Sequence, residues 1–182
     1  PKLESIKANA YALGRYSALV QEANMVPIVE PEVLMDGDHD IETCYQISKT
    51  VLEETFYQLS NSNVKLEGII LKPNMILPGN KSKDKSNTQE IAKMTLKCLK
   101  ENVPSEVPGI AFLSGGQTEV EATENLNEIK FEKIGYPLLF LPFVSRASEV
   151  IGKRLFLKLD DREFLLNFNN NIYSNFIKNN II

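Results

Sequence analysis

Three short apolar runs divide the first 116 residues, and each ends in polar side chains. They are Val26-Pro27-Ile28-Val29-Glu30-Pro31-Glu32, Leu66-Glu67-Gly68-Ile69-Ile70-Leu71-Lys72 and Gly109-Ile110-Ala111-Phe112-Leu113-Ser114-Gly115-Gly116. Between them the apolar positions recur at helical spacing. Residues 3–24 carry Leu3, Ile6, Ala10, Leu13 and Leu19, and residues 41–61 carry Ile41, Cys44, Tyr45, Val51, Leu52, Phe56 and Leu59. Asn87-Thr88-Gln89-Glu90 resembles a capping arrangement that opens a helix over 88–101, and Thr118-Glu119-Val120-Glu121 fits a capping box for a helix over 119–130. The pattern therefore predicts strands over 26–30, 66–72 and 109–114, alternating with helices. A fourth apolar run, Leu138 to Val144, ends near Arg146, and its internal Pro142 argues against a regular strand.

Nearly continuous apolar strands separated by helices read as parallel strands buried on both faces. The steps from Glu30 to Lys72 and from Lys72 to Ser114 are both 42 residues. Strands that all end in functional chemistry suggest the catalytic face of a (β/α) barrel. The expected fold class is α/β, of the TIM (β/α)8 barrel family. A closed barrel has eight units and about 250 residues, so the four units seen here amount to half a barrel. Two domains of different character are expected: the half barrel over 1–146 and a divergent tail over 147–182. Seven of the sixteen residues from Asn167 to Ile182 are Asn, which disfavours helix and strand interiors alike. That stretch is read as a weakly ordered tail or a weak helix.

Composition narrows the class. The 182 residues are 43% hydrophobic and 24% charged, ordinary for a soluble globular chain. The net charge of −4 and pI near 5.2 imply no broad basic surface, so neither nucleic acid nor anionic membrane is an expected partner. No apolar run reaches the roughly 18 residues that span a bilayer. Pro1-Lys2-Leu3-Glu4 is neither a signal nor a transit peptide and lacks a starting Met, so the chain reads as beginning mid-protein. Cys44 and Cys98, both on predicted helices, read as reduced, partly buried thiols of a cytoplasmic protein. With His39 the sole histidine, no zinc site is expected, nor any cofactor. Asp36, Asp38 and Asp40 lack the remaining ligands of a calcium loop and read as a solvated, helix-capping loop. Lys81, Lys83 and Lys85 read as a solvated loop as well.

Lys72 is the residue with the most chemistry. It shares a strand face with Ile70, while Glu30 and Glu32 share one with Ile28, and Ser114 falls with Phe112 and Ile110. If those faces point into the barrel, the polar groups converge at its top. A lysine amine of ordinary pKa is neutral only about once in 2,500 molecules at pH 7. Attack on a carbonyl therefore needs a lowered pKa, from desolvation or a nearby cation. A drop of three units corresponds to about 4 kcal/mol of disfavoured charge. Imine formation also needs a proton donor for the leaving hydroxyl, and Glu30 or Glu32 could serve. The plainer alternative is a structural salt bridge at a strand end. Ser114, Gly115 and Gly116 end the third run before a capped helix, where backbone N–H groups approach an oxyanion and the helix start adds positive potential. Arg146 could hold a phosphate bidentately.

Longer segments resemble a known family. Residues 26–34, Asp36-Gly37-Asp38-His39-Asp40, Leu66-Glu67-Gly68, Leu71-Lys72-Pro73-Asn74-Met75, Phe112 to Gln117 and Glu124-Asn125-Leu126-Asn127 are similar to class I (Schiff-base) fructose-bisphosphate aldolases over about residues 6–130. The resemblance implies a metal-free carbon–carbon lyase of glycolysis, cytoplasmic and, as a complete chain, homo-oligomeric. It splits fructose 1,6-bisphosphate reversibly into dihydroxyacetone phosphate and glyceraldehyde 3-phosphate. It implies Lys72 as the imine-forming lysine, Glu30 as general acid-base and Glu32 as a second, positioning glutamate. Ser114 and Gly115, with Arg146, are implied as phosphate-binding. Phe143 and Ser145 depart from the family pattern around the phosphate, and beyond Ala147 the resemblance stops. One hypothesis for the tail is an altered reading frame, tested by sequencing the transcript across 131–182. The chain alone is expected to have at most very weak cleavage activity. The other readings are a non-catalytic interaction or phosphate-binding half barrel, and another imine-forming barrel lyase.

Overall fold

The computed structural model describes residues 1–112 and 114–129. The fourth apolar run, Arg146 and the Asn-rich tail lie outside the described residues. The elements follow the expected alternation: helix α1 over Leu3–Glu22, strand β1 over Ile28–Val29, helix α2 over Ile41–Asn61, strand β2 over Ile70–Leu71, helix α3 over Thr88–Asn102 and helix α4 over Glu119–Glu128.

The strands are shorter than their apolar runs. The run from Leu66 opens with a 3₁₀ turn, Leu66–Gly68, and only Ile70 and Leu71 pair with β1. The third run makes a single parallel bridge, Leu71 with Ile110. Among the described residues the pairing is parallel, with β2 between β1 and the Ile110 segment. Side chains of one face go under the helices: Val29, Leu71 and Ile110 are almost fully buried. Ile28 and Ile70 on the other face are only half-buried.

Helix boundaries match their signals because the capping groups are in place. Asp40 accepts from Thr43 N (2.8 Å), Asn87 from Glu90 N (3.0 Å), and Thr118 with Glu121 completes a capping box. Each cap satisfies a helix N–H that has no partner within the helix. The Asp36–Asp40 loop is thus helix-capping as expected, and Lys81, Lys83 and Lys85 are exposed. Consecutive helices pack side by side, α1 on α2, α2 on α3, α3 on α4. Gly14 lets α1 lie close on α2: an added Cβ would sit 2.8 Å from Gln58 O. Leu52, Leu59, Ile91 and Leu99 meet the strand residues in one core. Cys44 and Cys98 are free, and both are buried rather than half-buried.

Candidate active site

The backbone sets two of the candidate residues level. Lys72 N donates to Val29 O (2.7 Å), and β1 pairs with β2 in the register Ile28 with Ile70. Glu30 and Lys72 each stand two residues further on, so parallel pleating aims them from the same face. Lys72 Nζ donates to Glu30 Oε1 at 2.8 Å. The lysine side chain is 14% exposed and the glutamate 40%. An ion pair with one partner this exposed contributes about 0–1 kcal/mol. Burying a lysine stem for so little stability is poorly explained by a purely structural bridge.

Glu32 reaches the same neighbourhood through a turn. Its N–H donates to Glu30 O at 3.1 Å, closing a tight three-residue turn around the buried Pro31. Burial pushes the Glu32 carboxyl above the usual carboxylate range, the neighbouring charge of Glu30 pushes it the same way, and Lys72 opposes both. The lysine and both glutamates are therefore brought together, with one carboxyl on the amine and the other holding its proton to higher pH.

Ser114 stands apart from this register. Because Leu71 is level with Ile110, the residue level with Lys72 is Ala111, three positions before Ser114. Strict alternation from Ile110 would put Ser114 on the face of Leu71, not that of Lys72. The equal 42-residue steps therefore hold as a pairing register for β1 and β2 but not for the third run. The chain instead turns: Gln117 N donates to Ser114 O (3.0 Å), and Gly115 and Gly116 have φ of +60° and +91°. Both central residues lie in the left-handed region, which a type I′ turn requires and glycine adopts freely. A Cβ on Gly116 would also meet Met35 Sδ at 2.9 Å. The helix that follows carries Glu119 and Glu121 in its first turn, and its capping box occupies Thr118 N and Glu121 N. Its positive end is thus compensated by its own carboxylates. This leaves the glycine turn, rather than the helix start, as the candidate anion cradle.

Several positioning groups escaped the sequence reading. Asn74 Oδ1 accepts from Val33 N (3.0 Å), while its Nδ2 donates to Ser48 Oγ (3.1 Å) and Met75 O (3.0 Å). Gln117 Nε2 donates to Ser114 O (2.8 Å), and Gln117 Oε1 accepts from Asn125 Nδ2 (2.7 Å). The loops after β1 and β2 are laced together by Gly79 N to His39 O (2.8 Å), Asn80 N to Met35 O (2.7 Å), Lys81 N to Gly37 O (2.8 Å) and Ile41 N to Asp84 Oδ2 (3.1 Å). The sequence signals for Asn74 and Gln117 were their place beside Lys72 and Ser114 and inside the segments that carry the family resemblance. Among the described residues no group of three His, Cys, Asp or Glu could hold a metal ion, and no helix is long and apolar enough to cross a membrane.

Comparisons with known proteins fit this geometry. Residues 1–140 match the family model of glycolytic fructose-bisphosphate aldolase class-I. The chain is 49% identical over 159 residues to a probable fructose-bisphosphate aldolase class 1 of Xanthomonas campestris pv. campestris, covering 87% of this chain and 47% of that protein. It is 51% identical over 127 residues to the chloroplastic fructose-bisphosphate aldolase 2 of Arabidopsis thaliana, covering 70% of this chain and 32% of that one. It thus spans about half the length, or less, of these curated relatives. A solved fructose-bisphosphate aldolase from Plasmodium falciparum superposes with a TM-score of 0.78 at 36% identity, over 96% of this chain and 50% of that one. The fold is accordingly half of an aldolase-type TIM barrel, and the chain belongs to the class-I fructose-bisphosphate aldolase family.

Proposed function

We propose that the complete protein containing this chain is a fructose-bisphosphate aldolase that works through an imine on Lys72. The observation that carries this reading is the Lys72–Glu30 contact of 2.8 Å at level strand ends, with Glu32, whose carboxyl burial pushes up, beside it. Glu30 takes a proton from the Lys72 ammonium, and the freed amine attacks the C2 carbonyl of the ketose. Water leaves as Glu32 donates a proton to the carbinolamine hydroxyl, giving an iminium. The C3–C4 bond then breaks with its electrons flowing into the iminium. Glu32, now a carboxylate, takes the proton of the C4 hydroxyl, and glyceraldehyde 3-phosphate departs. Protonation of the resulting enamine and hydrolysis release dihydroxyacetone phosphate and regenerate Lys72. This division departs from the roles the resemblance implies, in which Glu30 is the acid-base and Glu32 positions. Direct contact with the amine supports Glu30 as base, and raised proton affinity supports Glu32 as donor. The Ser114-Gly115-Gly116 turn and Arg146 bind a substrate phosphate. The complete chain is cytoplasmic and forms a homo-oligomer.

Incubating the complete protein with dihydroxyacetone phosphate and borohydride tests the reading. A reduced adduct mapped to Lys72, and lost in Lys72→Met, is the expected result. An adduct elsewhere, or none while the protein is folded, overturns it.

A further inference from the structure

Two structural facts about the loop that carries the carboxylates point to one residue. The loop after β1 leaves the sheet at Glu30, so backbone pairing with β2 stops short of Glu32 and Val33: the final link is Lys72 N to Val29 O. Something else must hold Glu32 against the strand end that bears Lys72. The nearest tie beyond the sheet is Asn74, two residues past Lys72, whose side-chain oxygen accepts the N–H of Val33, the residue next to Glu32 (3.0 Å).

Asn74 is built to hold one orientation. The residue is only 6% exposed. Its amide nitrogen donates to Ser48 Oγ on α2 and to Met75 O in its own loop. Rotating the amide by half a turn would aim the NH2 group at the Val33 N–H and the oxygen at the Met75 carbonyl, setting donor on donor and acceptor on acceptor. Leaving these groups unpaired in a buried site is costly. The orientation is therefore fixed by three elements at once: the β1 loop, helix α2 and the β2 loop.

We infer that Asn74 is a positioning residue, whose buried amide sets the distance between Glu32 and the Lys72 amine by clamping the β1 loop to the end of β2. The inference rests on the imine reading of Lys72. Asn74 touches no reacting atom; it acts through Glu32 and Lys72. A misplacement of about 1 Å between reacting groups can lower rate by about 10²-fold without changing substrate affinity. The signature of Asn74 is thus a loss in kcat with KM retained.

The test uses the complete protein with fructose 1,6-bisphosphate. Asn74→Ala is expected to lower kcat and the rate of borohydride trapping at Lys72 by at least about tenfold, with KM within about twofold. Ser48→Ala removes one bond of the same amide but not the Val33 clamp, and is expected to keep kcat within about twofold. Where Asn74→Ala does not fold, Val33→Pro deletes the N–H from the other side of the clamp and is expected to show the same kcat loss with KM unchanged. Wild-type kcat in the folded Asn74→Ala or Val33→Pro protein overturns the inference, as does an equal kcat loss in Ser48→Ala, which would mark general loosening of α2. In those cases the wild type still cleaves substrate and forms its Lys72 adduct. A folded wild type that does neither sinks the parent reading and this inference together.

Discussion

At the level of single residues, the chemistry concentrates in a lysine and two glutamates that the chain separates by some forty positions. Lys72 pairs with Glu30, and the turn at Pro31 folds Glu32 back beside them. The proton affinity of Glu32 carries a sign that can be measured. Its folded-state pKa lies above the ordinary 4.5, so the folded form binds that proton more tightly than the unfolded form. The stability this provides is present below about 4.5 and is lost as pH rises through the folded pKa. Glu32→Gln stays neutral throughout. Its stability relative to wild type is expected to rise as pH climbs above about 4.5, read from urea midpoints of the complete protein. A gap that stays flat across that window rules out burial as the dominant influence on Glu32. Asp40 and Glu121 run the other way, because their hydrogen bonds to Thr43 and Thr118 favour the charged form. What they contribute is lost as pH falls. The trio was readable from residue types and spacing, and the bond between Lys72 and Glu30 follows from a parallel register that equal spacing anticipated. The role of Asn74 was not readable, since no pattern shows which backbone N–H a buried amide will meet.

Among the elements, the helices were the legible part. Periodicity located α1 and α2, and polar residues before α2, α3 and α4 marked their starts, because a capping side chain must sit within a few residues of the N–H it serves. Strand ends were harder. The runs at 66–72 and 109–114 are mostly apolar, but Leu66–Gly68 forms a 3₁₀ turn and, among the described residues, only Ile110 of the third run pairs. Apolar character reports burial, and burial does not require a ladder partner. The packing of α1 on α2 supplies a prediction at this scale. Gly14→Ala in a free helix would stabilise, since alanine is the better helix former. Here its methyl would press to 2.8 Å from Gln58 O and 2.9 Å from Ser62 Oγ. The crossing must open, so the substitution is expected to destabilise by about 1–3 kcal/mol, checked by urea denaturation. A gain in stability would show that α1 can shift away from α2 without cost.

For the whole molecule, the parallel sheet is the weak point. The described residues hold two paired strands and one bridge, a marginal sheet by itself. Ile28 and Ile70 are only half-buried on the face that also carries Glu30 and Lys72. Edges with unpaired backbone groups recruit other strands. The 182-residue chain expressed alone is therefore expected to self-associate, eluting and scattering light above the 20.5 kDa of its monomer. A compact, stable monomer would contradict this.

The sequence alone determined the strand–helix alternation, the helix starts and the identity of the lysine, the glutamates and the glycine turn. Those depend on local periodicity, on short-range capping and on side-chain chemistry. Tertiary structure decided that Ser114 leaves the register of Lys72 and that Asn74 ties the two loops. Both depend on groups that meet across about 40 residues of chain, and only the packed fold brings those partners within hydrogen-bonding distance.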